Sequence, residues 1–338
     1  MKQYRRTARR HPIQYYIDGI LNGNRITLSQ AITLAESQLP SDQQLSESIL
    51  TELLPHTGKS IRIGITGVPG VGKSTFIEAF GALLTQEGYK VAVLTIDPSS
   101  PKTKGSILGD KTRMEKLAAN PMAYIRPSAS GNTLGGVAAG TKESILLCEA
   151  AGYDVILVET VGVGQSEISI RELTDFFLLL MLAGAGDELQ GIKKGIMEMA
   201  DTIAITKADG DNITASKLAK KSYQNALHLF AQSEQDWYPK VFTCSALEGN
   251  GMHTIWKEIL RFESHMKERG YFQQRRKEQD LYWMHQYINE QLHKHFYQDT
   301  SIQKMLSIKK DNILNGEELP IQGAKVLLEQ YFSSITKA

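Results

Sequence analysis

Ile61-Arg62-Ile63-Gly64-Ile65-Thr66 is an apolar run that leads without a break into Gly67-Val68-Pro69-Gly70-Val71-Gly72-Lys73-Ser74-Thr75. A buried strand feeding a glycine-rich loop that ends in Lys-Ser commits the surrounding chain to a strand-loop-helix unit. Gly67, Gly70 and Gly72 let the backbone curl until successive N–H groups point at one anion, and the following helix adds its positive N-terminal end. Lys73 is placed to reach β- and γ-phosphates, and Ser74 to put its hydroxyl on Mg²⁺. The glycine order, followed by Lys-Ser, argues against a dinucleotide-binding loop. A second Gly-Lys-Ser, Gly58-Lys59-Ser60, reads as linker, because Leu53 stands where the loop's first glycine belongs.

Short apolar runs recur beyond this unit: Lys90 to Ile96, Ala123 to Arg126, Asp154 to Val158, Phe176 to Leu182, Thr202 to Thr206 and Lys240 to Thr243. Helical stretches separate them, such as Thr75 to Glu87 closed by Gly88, and Lys142 to Ala151 closed by Gly152. Strands apolar on both faces and spaced by helices predict an α/β fold with a mostly parallel central sheet covered on two sides. Flanking helical arms are predicted over residues 1–57 and 269–338, with the phosphate-loop domain over 58–268 between them. Leu28, Ile32 and Ala35 share one face of the first arm, and Ile49, Leu53 and Leu54 continue it after Pro40. Leu281, Met284, Ile288 and Leu292 make a stripe in the second.

Composition narrows the partners. The 338 residues carry a formal net charge of +1, which gives no footprint for nucleic acid or an anionic membrane surface. The longest apolar stretch, Phe176 to Ala183, is far too short to span a bilayer. Cys148 and Cys244, the two cysteines, lie on separate segments, so neither a disulfide framework nor a cysteine zinc site is expected, and a reducing compartment fits. Met1 to Arg10 is basic without the apolar core of a secretory signal; a transit peptide stays open as a reading, though Pro12 and Gly19 soon interrupt the segment. The expected location is the cytoplasm for a bacterial chain and the mitochondrial matrix for a eukaryotic one. The eight histidines are scattered, and His293 and His295 point in different directions on a helix, which leaves little for a metal-delivery protein with histidine-rich tracts.

A triphosphate site needs further oxygen ligands for its metal. Asp97 and Glu159 follow predicted strands and Asp110 sits in the loop segment Gly109-Asp110-Lys111, and strand-terminal carboxylates lie on the same sheet edge as the phosphate loop. Glu159-Thr160-Val161-Gly162 resembles a switch motif in which an acid senses Mg²⁺ while a glycine N–H touches the γ-phosphate. Thr206-Lys207-Ala208-Asp209 follows a strand as a guanine-reading motif should. Asp209 would accept from the ring N–H and the amine of guanine, a donor pair adenine lacks. Lys207 would lay its methylene stem over the purine. Ser245-Ala246-Leu247 supplies the companion segment, with the Ala246 N–H aimed at the guanine carbonyl. Thr206 stands where Asn is usual, and its hydroxyl can replace only part of the Asn hydrogen bonding.

Taken together, these blocks resemble the MeaB/ArgK-type GTPases of the SIMIBI class, chaperones of adenosylcobalamin-dependent methylmalonyl-CoA mutase. The likeness rests on Gly67 to Thr75, Ile96 to Ser100, Gly105 to Met114, Thr133 to Gly136, Glu159 to Glu167 and Ala183 to Gly191. The resemblance implies GTP/GDP as ligand, with Ser74, Asp97, Asp110 and Glu159 around Mg²⁺ and switches at Asp97 to Asp110 and Glu159 to Glu167. It further implies a third switch from Leu182 to Lys193, with Lys193 a contact to the mutase, and a homodimer held by the C-terminal arm. The stripe from Leu281 to Leu292 could equally pack on its own domain.

Candidate catalytic residues are Lys73, Glu159, Gly162, Gln165 and Lys193. Val163 occupies the place where many switch GTPases carry the Gln that orients water, and Gln165 could serve only after rearrangement, so slow intrinsic hydrolysis and stimulation by a partner are expected. Val68 stands where some related ATPases carry an extra lysine. A small-molecule kinase would need a substrate pocket and base that no motif supplies. Cobalamin is expected on the partner, since no histidine here has an aspartate two residues before it.

Overall fold

The computed structural model describes residues 10–97, 114–129, 134–160, 166–184, 194–228 and 236–335. Among them run seven strands: β1 Ile61–Gly67, β2 Val91–Asp97, β3 Ala123–Ala129, β4 Val155–Thr160, β5 Phe176–Leu182, β6 Thr202–Thr206 and β7 Lys240–Thr243. All neighbours pair in parallel, in the order β3-β2-β4-β1-β5-β6-β7. Before β1 lie α1 Ile13–Leu21, α2 Arg25–Ala35 and α3 Pro40–Leu53. Between strands come α4 Lys73–Gln86, α5 Glu115–Ala119, α6 Leu134–Ala150, α7 Ser166–Arg171, α8 Lys194–Met199 and α9 Ile213–Leu227. After β7 follow α10 Met252–Glu268, α11 Tyr271–Gln298, α12 Thr300–Leu314 and α13 Pro320–Ile335.

The α/β fold expected from the alternating runs is therefore present. β1 and β4 are buried along their whole length, as strands covered on both faces must be. Phe76 and Phe80 of α4 and Trp256 and Phe262 of α10 fill one face of the sheet, with Phe80 and Trp256 edge to face. One charged side chain interrupts the apolar run, Arg62 of β1, and it is buried against Glu149 of α6 at 2.9 Å.

Ahead of the sheet, α2 packs on α6 and reaches strand β3. Ser29 and Tyr124 share a hydrogen bond of 3.0 Å, and Arg126 Nη2 donates to Thr33 and Glu36. Leu28, Ile32, Ile49 and Leu53 are buried as the periodicity predicts. Leu54 is not: it lies in a 3₁₀ turn beyond the end of α3, where the helical spacing no longer applies, and is 60% exposed.

The chain divides into two compact units that meet between Gln279 and Asp280, within α11. The second has a small core of Ile302, Leu327 and Tyr331 with Phe296 packed against it. Asp299 caps α12 by accepting from the Ser301 and Ile302 N–H groups. On α11, Leu281, Met284, Ile288 and Leu292 are exposed by 57%, 48%, 45% and 58%, so the core of their own unit does not bury the stripe.

Candidate nucleotide site

β1 ends beside β4 and β5, with Ile65 level with Glu159 and Gly67 level with Leu180. A side chain at Gly67 would start 2.4 Å from the Leu180 carbonyl oxygen, so only glycine lets the strand turn out of the sheet there. Gly70 and Gly72 take φ of 78° and 90°, and nothing crowds a Cβ at Gly70. Their requirement is thus conformational, and it opens a concave backbone path into α4, whose N-terminus carries no side-chain cap. Val71 is anchored in the core, while Pro69 and Thr75 face solvent. Lys73 Nζ lies inside the loop, donating to Gly67 O at 2.9 Å.

Two oxygen donors meet at the mouth of this loop. Ser74 Oγ donates to Glu159 Oε1 at 3.2 Å, and Glu159 sits near the end of β4 with only 7% of its surface exposed. A hydroxyl beside a buried carboxylate is the hard-oxygen chemistry that Mg²⁺ takes, so these two side chains fit that ion. Behind them Thr66 and Thr160 exchange a buried hydrogen bond of 2.8 Å between β1 and β4. Asp97 closes β2, whose Ile96 is level with Thr160, which puts its backbone on the same sheet edge. The Asp97 side chain and residues Asp110, Gly162, Gln165 and Lys193 lie outside the described residues.

The base-reading segment is held by the phosphate loop itself. Thr206 Oγ1 lies 2.8 Å from Val71 O and 3.2 Å from Met181 O, so its single proton ties β6 to the loop or to β5. The partial replacement of Asn expected from the sequence is therefore a direct bond to the loop. Lys207 takes φ of 55° and extends back across Gly72, its Nζ donating to Gly70 O at 2.9 Å. Asp209 Oδ2 accepts from Ser245 Oγ, which in turn accepts from the Glu248 N–H at 3.1 Å. Oδ1 of Asp209 has no such partner among the described residues. Ala208 N–H donates to Cys244 O and Ser245 N–H to Asn250 O, which locks the two segments side by side. Leu247 is 81% exposed. Asn212, whose Nδ2 donates to Lys207 O at 2.7 Å, and Asn250 are supports that no motif spacing signals.

Elsewhere, Cys148 and Cys244 are buried, and burial pushes both thiols up, Cys244 to about 12, so they are inert core groups. Among the described residues no cluster of three or more His, Cys, Asp or Glu side chains could hold a metal, and no helix is long and apolar enough to cross a membrane.

A parallel sheet with the phosphate loop at its centre, an acid on the next strand and a carboxylate beyond β6 defines a phosphate-loop nucleotide-binding protein. The family model described as Methylmalonyl Co-A mutase-associated GTPase MeaB matches residues 28–301. The chain belongs to that family, and as a member it is a GTPase that binds guanine nucleotide. It is 48% identical over 314 residues to GTPase ArgK of Escherichia coli (strain K12), covering 92% of this chain and 95% of that protein. It is 42% identical over 325 residues to the mitochondrial Methylmalonic aciduria type A homolog of Mus musculus, covering 93% and 78%. A crystal structure titled LAO/AO transport system kinase superposes with a TM-score of 0.76 at 40% identity, over 94% of this chain and 97% of that one.

Proposed function

We propose that this chain binds GTP with Mg²⁺ and uses hydrolysis to time its docking on an adenosylcobalamin-dependent acyl-CoA mutase, methylmalonyl-CoA mutase above all. In this role it gates loading, protection or reactivation of the cofactor, and cobalamin itself stays on the partner. The observation that carries the nucleotide half is the base segment: a carboxylate at Asp209 is steered by Ser245, while Thr206 and Lys207 are bonded to the phosphate loop that holds the other end of the ligand. Asp209 reads guanine, Lys207 covers its face, and Ala246 offers an N–H to its carbonyl.

At the other end Lys73 neutralises the β- and γ-phosphates, and the loop from Gly67 to Thr75 surrounds them. Ser74 and Glu159 hold Mg²⁺ directly or through water, with Asp97 and Asp110 completing its shell. When bound, the ion offsets the charge of the triphosphate oxygens. Gly162 reports the γ-phosphate, Gln165 is the water-orienting group brought in by rearrangement, and Lys193 relays the state to the mutase. The mutase half draws support from the printed names of the family and of its mouse relative. Residues 58–268 form the GTPase domain, 1–57 an N-terminal arm, and 269–338 a helical arm whose exposed stripe from Leu281 to Leu292 pairs two copies. The protein acts in the bacterial cytoplasm, or in the mitochondrial matrix if its source is eukaryotic.

Co-purification with methylmalonyl-CoA mutase in GDP and in a nonhydrolysable GTP analogue tests the proposal, together with GTP turnover with and without the mutase. Distinct complexes in the two states and a severalfold rise in turnover are expected. Identical complexes with equal rates would remove the timing role.

A further inference from the structure

At the outer edge of the sheet, α2, β3 and α5 enclose an open cavity of about 460 Å³. That size is within the roughly 300–1,000 Å³ of small-ligand sites. It is remote from the phosphate loop in topology, because β2 and β4 separate β3 from β1. Arg25 and Arg126 contribute to its wall together with the Gln30 amide, while Ile26, Ala118 and Ile125 give it an apolar side. Among the described residues no carboxylate lines it.

The two guanidinium groups are differently occupied. Arg126 Nη2 is bound to Glu36 and Thr33, but its Nε–H is buried with no acceptor. A buried donor of that kind is rare in native proteins unless something supplies the missing partner. Arg25 is partly buried and has no hydrogen bond or ion pair among the described residues. Glu36 offsets one of the two positive charges, so the local balance is one excess cation facing an acid-free cavity. Such a balance suits a single carboxylate and is poorly matched to a polyphosphate.

We propose that this cavity binds a small organic carboxylate, its oxygens taken by Arg25 and Arg126 and its short carbon chain laid against Ile26, Ala118 and Ile125. Charge-assisted hydrogen bonds from guanidinium to carboxylate supply the attraction, and the apolar side selects a carbon chain over an inorganic anion.

The test uses full-length protein saturated with GDP, so that the phosphate loop cannot take up the probe. Sodium butyrate is titrated at constant ionic strength, with sodium chloride as the reference salt, and the Arg126 Nε–H resonance is followed by NMR on arginine labelled with nitrogen-15. Saturable movement with butyrate alone is expected, and Arg25→Gln should weaken it at least about tenfold while Arg25→Lys keeps part of it. Unchanged GDP affinity in Arg25→Gln shows that the variant is folded. An equal response in Arg25→Gln, or none with butyrate, overturns the proposal. A response to a glutamate-containing peptide but not to butyrate overturns it too, by making the cavity a protein-docking groove.

Discussion

Arg276 of α11 grips Asp175 with two hydrogen bonds, Nε to Oδ1 at 2.8 Å and Nη2 to Oδ2 at 2.7 Å, at the end of the sheet opposite the phosphate loop. The same guanidinium donates to the Gly58 and Ser60 carbonyls, and Asp175 Oδ2 also accepts from the Arg62 N–H that opens β1. One arginine thus fixes where the strand leading to the phosphate loop begins.

Removing it should be costly, because both side chains are almost fully buried. Arg276→Met leaves the buried Asp175 carboxylate with only the Arg62 N–H and charge to offset it, and a loss of about 3–5 kcal/mol of stability is expected by chemical denaturation. Burial alone would raise the Asp175 pKa, but the hydrogen bonds and charge of Arg276, with the Arg62 charge, outweigh it and hold the carboxyl below its ordinary value. In the wild type that contribution is present above the unfolded carboxyl pKa and is lost as pH falls through the lower folded value. In Arg276→Met burial dominates, so the sign reverses and the deficit should shrink as the solution is acidified. A deficit independent of pH would show that the arginine acts through packing alone.

Glu143 of α6 offers the opposite case. Burial raises its carboxyl to about 7, with the charge of Glu47 adding to the shift. A group raised in the folded state favours folding while it is protonated and costs stability as pH rises from its ordinary value through about 7. Thermal stability of Glu143→Gln should therefore match the wild type near pH 5 and exceed it near pH 8. Parallel melting curves at both pH values would contradict the assignment.

The sheet was legible because strands buried on both faces leave continuous apolar runs: β5, β6 and β7 start and stop where Phe176 to Leu182, Thr202 to Thr206 and Lys240 to Thr243 do. Lys73, Ser74, Glu159 and Asp209 were legible because each ends or follows such a strand. Arg276 was not, since its partners at Gly58, Ser60 and Asp175 lie more than a hundred residues away and no local pattern links them. Arg25 and Arg126 likewise come together only through packing of α2 on the sheet edge. Thr206 was half legible: the motif fixed its position, whereas the bonds to Val71 O and Met181 O arise only from the packing of β6 against the loop and β5.

Those bonds predict the behaviour of two substitutions. Thr206→Val keeps the shape but removes the one hydroxyl proton that Val71 O and Met181 O share, which should weaken GDP binding about tenfold through a displaced phosphate loop. Thr206→Ser keeps the hydroxyl and should bind GDP nearly as the wild type does. Isothermal titration calorimetry reads both, and equal affinity in all three proteins would mean that the hydroxyl does not position the loop.

Base selectivity and phosphate binding should separate cleanly by residue. Lys73→Ala removes the ammonium group from inside the loop and should abolish measurable binding of GTP and GDP alike. Asp209→Asn keeps the contact with Ser245 possible but replaces an acceptor by an amide donor, so guanine loses a carboxylate partner for its N–H and amine. A fall of at least about tenfold in GTP affinity is expected, since hydrogen bonds to charged groups are the strong ones. Xanthosine triphosphate, whose ring carries an oxygen where guanine carries its amine, should gain on GTP in the variant, because the new amide can donate to that oxygen. Competition titrations of GTP against xanthosine triphosphate on both proteins measure the change directly, and an unchanged ratio would place the base elsewhere than beside Asp209.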